Sequence, residues 1–203
     1  MLILARHGRT AANAQRLLLG RADVPLDVVG VQQAKAIGAS LSRSAPQPLR
    51  IVSSPLLRTR ATATAIAAAF GNEVEVEYDD RWIEVDYGEF DGSPLADVPS
   101  EVWQHWRTDS SWVPPGGESL AQVGERVREA CASLAADASA NDVVVVSHVS
   151  PIKAAVAWAV GTGDDSAMRL FCDVASVSRV RTGGDLPTLV SFNETAHLDG
   201  SAR

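Results

Sequence analysis

Arg6, His7 and Gly8 stand directly after a short apolar run, Leu2-Ile3-Leu4-Ala5. Such a run, closed by glycine, predicts a buried strand. Its end would present a cation, an imidazole and an unhindered backbone where open α/β sheets bind ligands. A guanidinium suits a phosphate dianion because its planar fork gives two hydrogen bonds. An imidazole can be a nucleophile near neutral pH. A second run, Val143 to Val146, ends in Ser147-His148. One buried histidine without a task would be ordinary. Two of them, each after a β run and far apart in the chain, can converge on one pocket.

Other residues could serve the same chemistry. Ser53-Ser54-Pro55 closes a third apolar run, Leu49 to Val52. Ser54 fits an N-cap and Pro55 a first helical position, which would put Arg58 near the first turn. The free amides of that turn favour an anion, and Arg58 could share it with Arg6 if the two strands are neighbours. Glu84 and Asp86 follow a further run and are both candidates for a general acid. A carboxyl half shielded from water would have a raised pKa, and spacing alone does not choose between the two. Thr10 and Asn13 could give neutral donors to a phosphate, although short polar side chains also simply form turns. Gly116-Gly117-Glu118-Ser119 reads as a sharp turn into a helix. His105 and His197 lack a strand-end setting and read as structural or surface residues. The His and Cys residues show no metal-ligand spacing, and neither a nucleotide-binding glycine loop nor a serine elbow is present.

These residues need a frame to hold them. The runs Leu2–Ala5, Leu49–Val52, Val74–Tyr78, Val143–Val146, Ser176–Val180 and Leu189–Phe192 predict strands. Helical stripes lie between them: Val31 to Leu41 with Asp27 as N-cap, the Ala-rich Ala61 to Phe70, Val123 to Ala138, and Ile152 to Val160 after Pro151, a residue favoured at a first helical position. This alternation predicts an α/β fold, a three-layer α/β/α sandwich whose central sheet is mainly parallel. Gly183-Gly184-Asp185 joins the last two strands as an edge hairpin. One domain over residues 1–203 is expected, with a lid insertion at about 90–118. That insertion holds three of the five tryptophans, Trp103, Trp106 and Trp112. Their expected role is to pin the lid to the body rather than to touch substrate.

Composition narrows the partners. The chain has 203 residues, 46% of them hydrophobic, and a formal charge of -7. No basic run could neutralise a nucleic-acid backbone, so neither nucleic acid nor membrane is an expected partner, and a small phosphorylated metabolite is. Cys131 and Cys172 lie in apolar stretches and predict buried free thiols, as suits a reducing compartment. Only four residues separate Met1 from Arg6, too few for a signal sequence, and a cytoplasmic protein is expected. A homodimer is possible on sequence grounds, but no residue demands it.

In order along the chain, Arg6-His7-Gly8 with Thr10 and Asn13, Pro25-Leu26 with Gly30 and Gln33-Ala34, Ser54-Pro55-Leu56 with Arg58 and Thr62-Ala63, Glu84 with Tyr87-Gly88 and Gly92, Pro115 to Ser119, and Val146-Ser147-His148 resemble the blocks of the histidine phosphatase superfamily, also called phosphoglycerate mutase-like. Ser147 to Lys153 and Asn193 to Leu198 make the α-ribazole phosphatase and actinobacterial acid phosphatase type the nearest resemblance. The resemblance implies a phosphoglycerate mutase-like fold and a cofactor-free, metal-independent phosphomonoesterase. It implies that His7 becomes a phosphohistidine and that Glu84, rather than Asp86, is the general acid and base. Arg6, Arg58 and His148 would neutralise the phosphoryl oxygens, with Asn13 and Thr10 assisting. Two positions depart from the pattern. Val149 stands where glycine is usual and could still offer a main-chain donor. Arg9 stands where Glu or Gln is common and would add a cation at the entrance. A mutase, or a phospho-ligand sensor without activity, shares the fold. The mutase is disfavoured because Arg107 is the only Lys or Arg between 90 and 118, and the sensor because every central group is present.

Overall fold

A computed structural model describes residues 1–44, 48–71 and 74–198. Six strands form one sheet: β1 (Leu2–Arg6), β2 (Pro48–Ser53), β3 (Val76–Tyr78), β4 (Asp142–Ser147), β5 (Val177–Arg181) and β6 (Thr188–Glu194). Their order is β3-β2-β4-β1-β5-β6. β1, β4, β2 and β3 are parallel, while β5 runs antiparallel to both β1 and β6 as the predicted hairpin.

The side-chain alternation of β1 explains the two faces. Leu2 and Leu4 pack with Val143 and Val145 toward helices α5 (Leu120–Ala140) and α6 (Val149–Val160). Ile3 and Ala5 pack with Val144 and Val146 toward α2 (Val28–Ser44) and α3 (Leu57–Ala69). Val143 to Val146 are all fully buried. A valine run suits a central strand covered on both faces, and each such side chain contributes roughly 1.5–3 kcal/mol. This is the three-layer α/β/α arrangement. Among the described residues no helix is long and apolar enough to cross a membrane. Cys131 and Cys172 are buried free thiols.

Asp27 caps α2 as predicted, accepting from Gly30 N at 2.7 Å. Two other helix starts differ from the sequence reading. α3 begins at Leu57, and its N-cap position, Leu56, has no capping side chain. Asp23, from a distant loop, accepts the Leu57 N–H at 2.6 Å instead, so Ser54 and Pro55 lie before the helix. α6 begins at Val149 with His148 as its N-cap, which places Pro151 third in the helix rather than first. The first shift releases Ser54 from capping, and His148, although at the N-cap position, makes no capping bond with its side chain.

Two short helices complete the description: α1 (Ala11–Ala14) after His7, and α4 (Ser100–Thr108) in the 90–118 segment. Trp106 of α4 is buried and makes edge contacts with Tyr87, Phe90, Trp103 and Trp112. The tryptophans do pin this segment, although Trp103 and Trp106 also face a cavity described below.

Gly8 lets the loop after β1 lie against α2. A Cβ there would sit 2.3 Å from the Gly30 carbonyl oxygen. Gly8→Ala is therefore expected to destabilise the protein by about 1–3 kcal/mol, read as a lower urea midpoint at unchanged slope. An unchanged midpoint would show that the loop yields freely.

Candidate active site

The topology brings the predicted groups together by a route that strand order alone decides. β1 and β2 are not neighbours, because β4 lies between them. His148, which follows β4, therefore sits between Arg6–His7 and Arg58. The rings of His7 and His148 meet edge to face, with centroids 5.1 Å apart.

Hydrogen-bond partners settle the tautomers. His7 Nδ1 lies 2.7 Å from the Gly8 carbonyl oxygen. That oxygen only accepts, so Nδ1 carries the proton and Nε2 keeps a free lone pair. His148 Nδ1 lies 3.2 Å from Arg58 Nε, a nitrogen that only donates. Nδ1 is thus the acceptor, and Nε2–H donates to Ser54 Oγ at 2.8 Å. Burial first, then Arg6 and Arg58, hold the His7 pKa well below 6.5. Burial first, then Arg58 and His7, do the same to His148. The sequence reading expected an imidazolium at position 148. In the ligand-free site both rings are neutral, because two guanidiniums already occupy the same buried space.

Those guanidiniums are held by carbonyl groups. Arg58 is fully buried. It donates from Nη1 to Ala22 O at 2.8 Å and from Nη2 to Gly20 O at 2.6 Å. One N–H on each terminal nitrogen stays available. Arg6 donates from Nη1 to Cys172 O at 2.7 Å, while its Nε is buried with no partner. A buried, unpaired N–H on a cation is rare and marks a place for an acceptor. The loop that supplies the Cys172 carbonyl is itself braced: Asp173 N donates to Asn193 Oδ1, and His197 Nε2 donates to Ala175 O.

Glu84 is the carboxylate that reaches this group. It is only 3% exposed. Its oxygens accept from Val85 N at 2.9 Å, Val149 N at 3.1 Å and Ser150 N at 3.1 Å. The last two are first-turn amides of α6, a natural seat for an anion. The Val149 amide is thus occupied by Glu84 and is not the free donor anticipated from sequence. Asp86 lies elsewhere, pairing with Arg21 and capping Gly88.

Gly116-Gly117-Glu118-Ser119 proves to be more than a helix start. Ser119 caps α5 in a capping box with Gln122. Glu118 bridges Arg126 and Arg21, and both arginines donate to the Glu84 carbonyl. Gly88 has φ of +57°, and a Cβ there would sit 2.0 Å from Pro115 O, so only glycine lets the two segments touch.

Asn13 lines the cavity, and its Oδ1 accepts from both Thr10 N and Thr10 Oγ1, which points its NH₂ donors elsewhere. Thr10 is fully buried and acts on Asn13 rather than on the cavity. Arg9 does not line the entrance either: its Nε pairs with Asp27 at 2.8 Å. Reading the sequence missed Ser54 as the partner of His148 and missed Lys153 on the cavity wall. For Lys153 the signal was present, since it is one helical turn beyond Val149. Among the described residues no three His, Cys, Asp or Glu side chains converge as metal ligands would.

A family model for the histidine phosphatase superfamily, branch 1, matches residues 2–195, and the chain belongs to that family. The bifunctional protein Rv2228c of Mycobacterium tuberculosis is 36% identical over 201 residues, covering 97% of this chain and 54% of that protein. The chain thus spans about half the length of that relative. Phosphoserine phosphatase 1 of Hydrogenobacter thermophilus is 34% identical over 202 residues, covering 97% of this chain and 93% of its own. Among solved structures, the mycobacterial glucosyl-3-phosphoglycerate phosphatase Rv2419c superposes with a TM-score of 0.84 at 28% identity, covering 96% of this chain and 98% of that one.

The buried, neutral imidazoles have a measurable consequence. The folded-state pKa of each lies below 6.5, so below that pH the unfolded chain binds protons that the native state does not. Native stability then falls as pH drops below 6.5, by about 1.4 kcal/mol per pH unit for each imidazole. In nuclear magnetic resonance titrations of the protein, the His7 and His148 ring signals should titrate well below pH 6.5. A midpoint near 6.5 for either ring would contradict the neutral assignment.

Proposed function

We propose that this chain is a metal-independent phosphomonoesterase acting on small phosphoesters through a phosphohistidine on His7, with Glu84 as general acid and base. One observation carries the reading: His7, with Nδ1 tied to the Gly8 carbonyl, is buried within electrostatic reach of both Arg6 and Arg58. Membership in the superfamily and the phosphatase names of its relatives support the class of reaction.

The free N–H groups of Arg6, Arg58 and Asn13 receive the phosphoryl oxygens. His7 Nε2 attacks phosphorus in line with the ester oxygen. The N–P bond forms as the P–O bond to the alcohol breaks, and protonated Glu84 gives its proton to the leaving oxygen. Water then attacks phosphorus, Glu84 takes a proton from it, the N–P bond breaks, and inorganic phosphate leaves. His7 directly follows a central strand and the Glu84 carboxylate is held by the first amides of α6, which suits a reaction governed by positioning and charge stabilisation. His148 is bonded through both ring nitrogens, to Arg58 and Ser54, and reaches the phosphoryl group only by exchanging one of those bonds, as an arriving dianion favours. Thr10 acts by orienting Asn13.

His7→Ala is expected to abolish turnover of p-nitrophenyl phosphate in the presence of EDTA, with an unchanged circular dichroism spectrum. Acid-labile, base-stable phosphate should be trapped on the wild-type protein alone. Full activity in the variant would refute the nucleophile assignment. Interconversion of 3- and 2-phosphoglycerate without net phosphate release would favour the mutase instead. Glu84→Gln should lower kcat about 10²–10³-fold for alkyl phosphates, by analogy with loss of one transition-state hydrogen bond. The loss should be much smaller for aryl phosphates, whose leaving groups need less protonation. Equal losses on both would exclude Glu84 as the acid.

A further inference from the structure

The cavity that opens beside Arg6, Asn13 and Glu84 has a volume of about 790 Å³. A phosphorylated three-carbon amino acid has about 11 heavy atoms. Even at roughly 30 Å³ each, the share of a liquid water molecule, it would fill less than half of that space. The wall beyond the reacting groups is mostly apolar and includes Leu17, Trp103, Trp106, Leu120 and Met168. At the rim, Phe171 is 71% exposed. Phe171 thereby extends the apolar wall of the cavity to its mouth.

One cation in this wall has no evident work. Lys153 projects from α6 one turn beyond Val149 and is half-buried. Among the described residues its ammonium has no hydrogen bond and no ion pair. Asp173, on the same wall, is beyond ion-pair distance. Burial lowers the Lys153 pKa, opposed by Cys172 and Glu84 and aided slightly by Arg6. Glu84 on the same wall acts on the ammonium only at a distance and not as an ion pair. A half-buried ammonium without a direct partner is unfavourable, and an anion brought by a ligand would relieve it. The phosphoryl group already has Arg6, Arg58 and Asn13, so that anion belongs to the other part of the substrate.

We infer that the alcohol released at this site is a bulky, largely apolar compound bearing an acidic group that pairs with Lys153. The inference rests on the phosphomonoesterase reading. It adds a specificity residue that the reaction chemistry does not require.

The test compares alkyl phosphates with leaving groups of similar basicity: phosphoserine, 2-(1-naphthyl)ethyl phosphate and the same naphthyl ester carrying a ring carboxylate. Both naphthyl esters should exceed phosphoserine at least tenfold in kcat/KM, mainly through KM. A smaller ratio overturns the size and apolarity assignment. Lys153→Met should lower kcat/KM for the carboxylated ester at least ten times more than for its parent, and Lys153→Arg should restore most of that difference. Equal losses on the two esters overturn the pairing. Calorimetric binding of the matching non-hydrolysable phosphonates separates the two readings. If p-nitrophenyl phosphate is not turned over but the phosphonates keep the same order, the phosphatase reading fails and the cavity assignment stands. If p-nitrophenyl phosphate is turned over without any preference among the esters, the cavity assignment fails alone.

Discussion

Two guanidiniums and two imidazoles meet at the ends of β1 and β4 and the start of α3, and like charges in low dielectric repel strongly. The structure meets this constraint in two ways. Backbone carbonyls of Gly20, Ala22 and Cys172 surround the guanidiniums. The imidazoles stay uncharged, each with a defined tautomer. The same arrangement that makes the site tolerable when empty makes it attractive to an anion. The unpartnered Arg6 Nε is the clearest sign of that poise.

Much of the remaining structure holds these groups still. Glu84 is fixed at both ends: its carboxylate rests on the first amides of α6, and its carbonyl accepts from Arg21 and Arg126. Glu118 ties those two arginines together. Arg6 depends on the Cys172 carbonyl, whose loop is braced by Asn193 and His197 at the end of the edge hairpin. Two exchanges of hydrogen bonds thus link the last strand and α5 to the centre of the site. Precise placement of few groups suits a reaction in which most of the acceleration comes from electrostatic preorganisation.

Outside that centre the requirements relax. The cavity wall is built from leucines, aromatics and a methionine, side chains that select by size and apolarity more than by geometry. Under the proposed reading, the choice of alcohol falls to the 90–118 segment, α6 and the loop around Phe171.

The sequence by itself determined the frame and the polar groups that gather at its strand ends. Apolar runs and helical stripes depend on local periodicity, so the parallel sheet, the edge hairpin and both covering layers were legible in it. His7, Arg58, His148 and Glu84 were legible because strand ends and residue type already limit what they can do. Strand order, burial and tautomer were not legible, since they depend on contacts between segments far apart in the chain. Only the tertiary structure placed β4 between β1 and β2, moved the starts of α3 and α6, gave Ser54 to His148 and the Val149 amide to Glu84, and turned Arg9 toward Asp27. The charge state of His148 was decided there too, because a pKa follows from which charges share a buried space and not from the residue's neighbours in the chain.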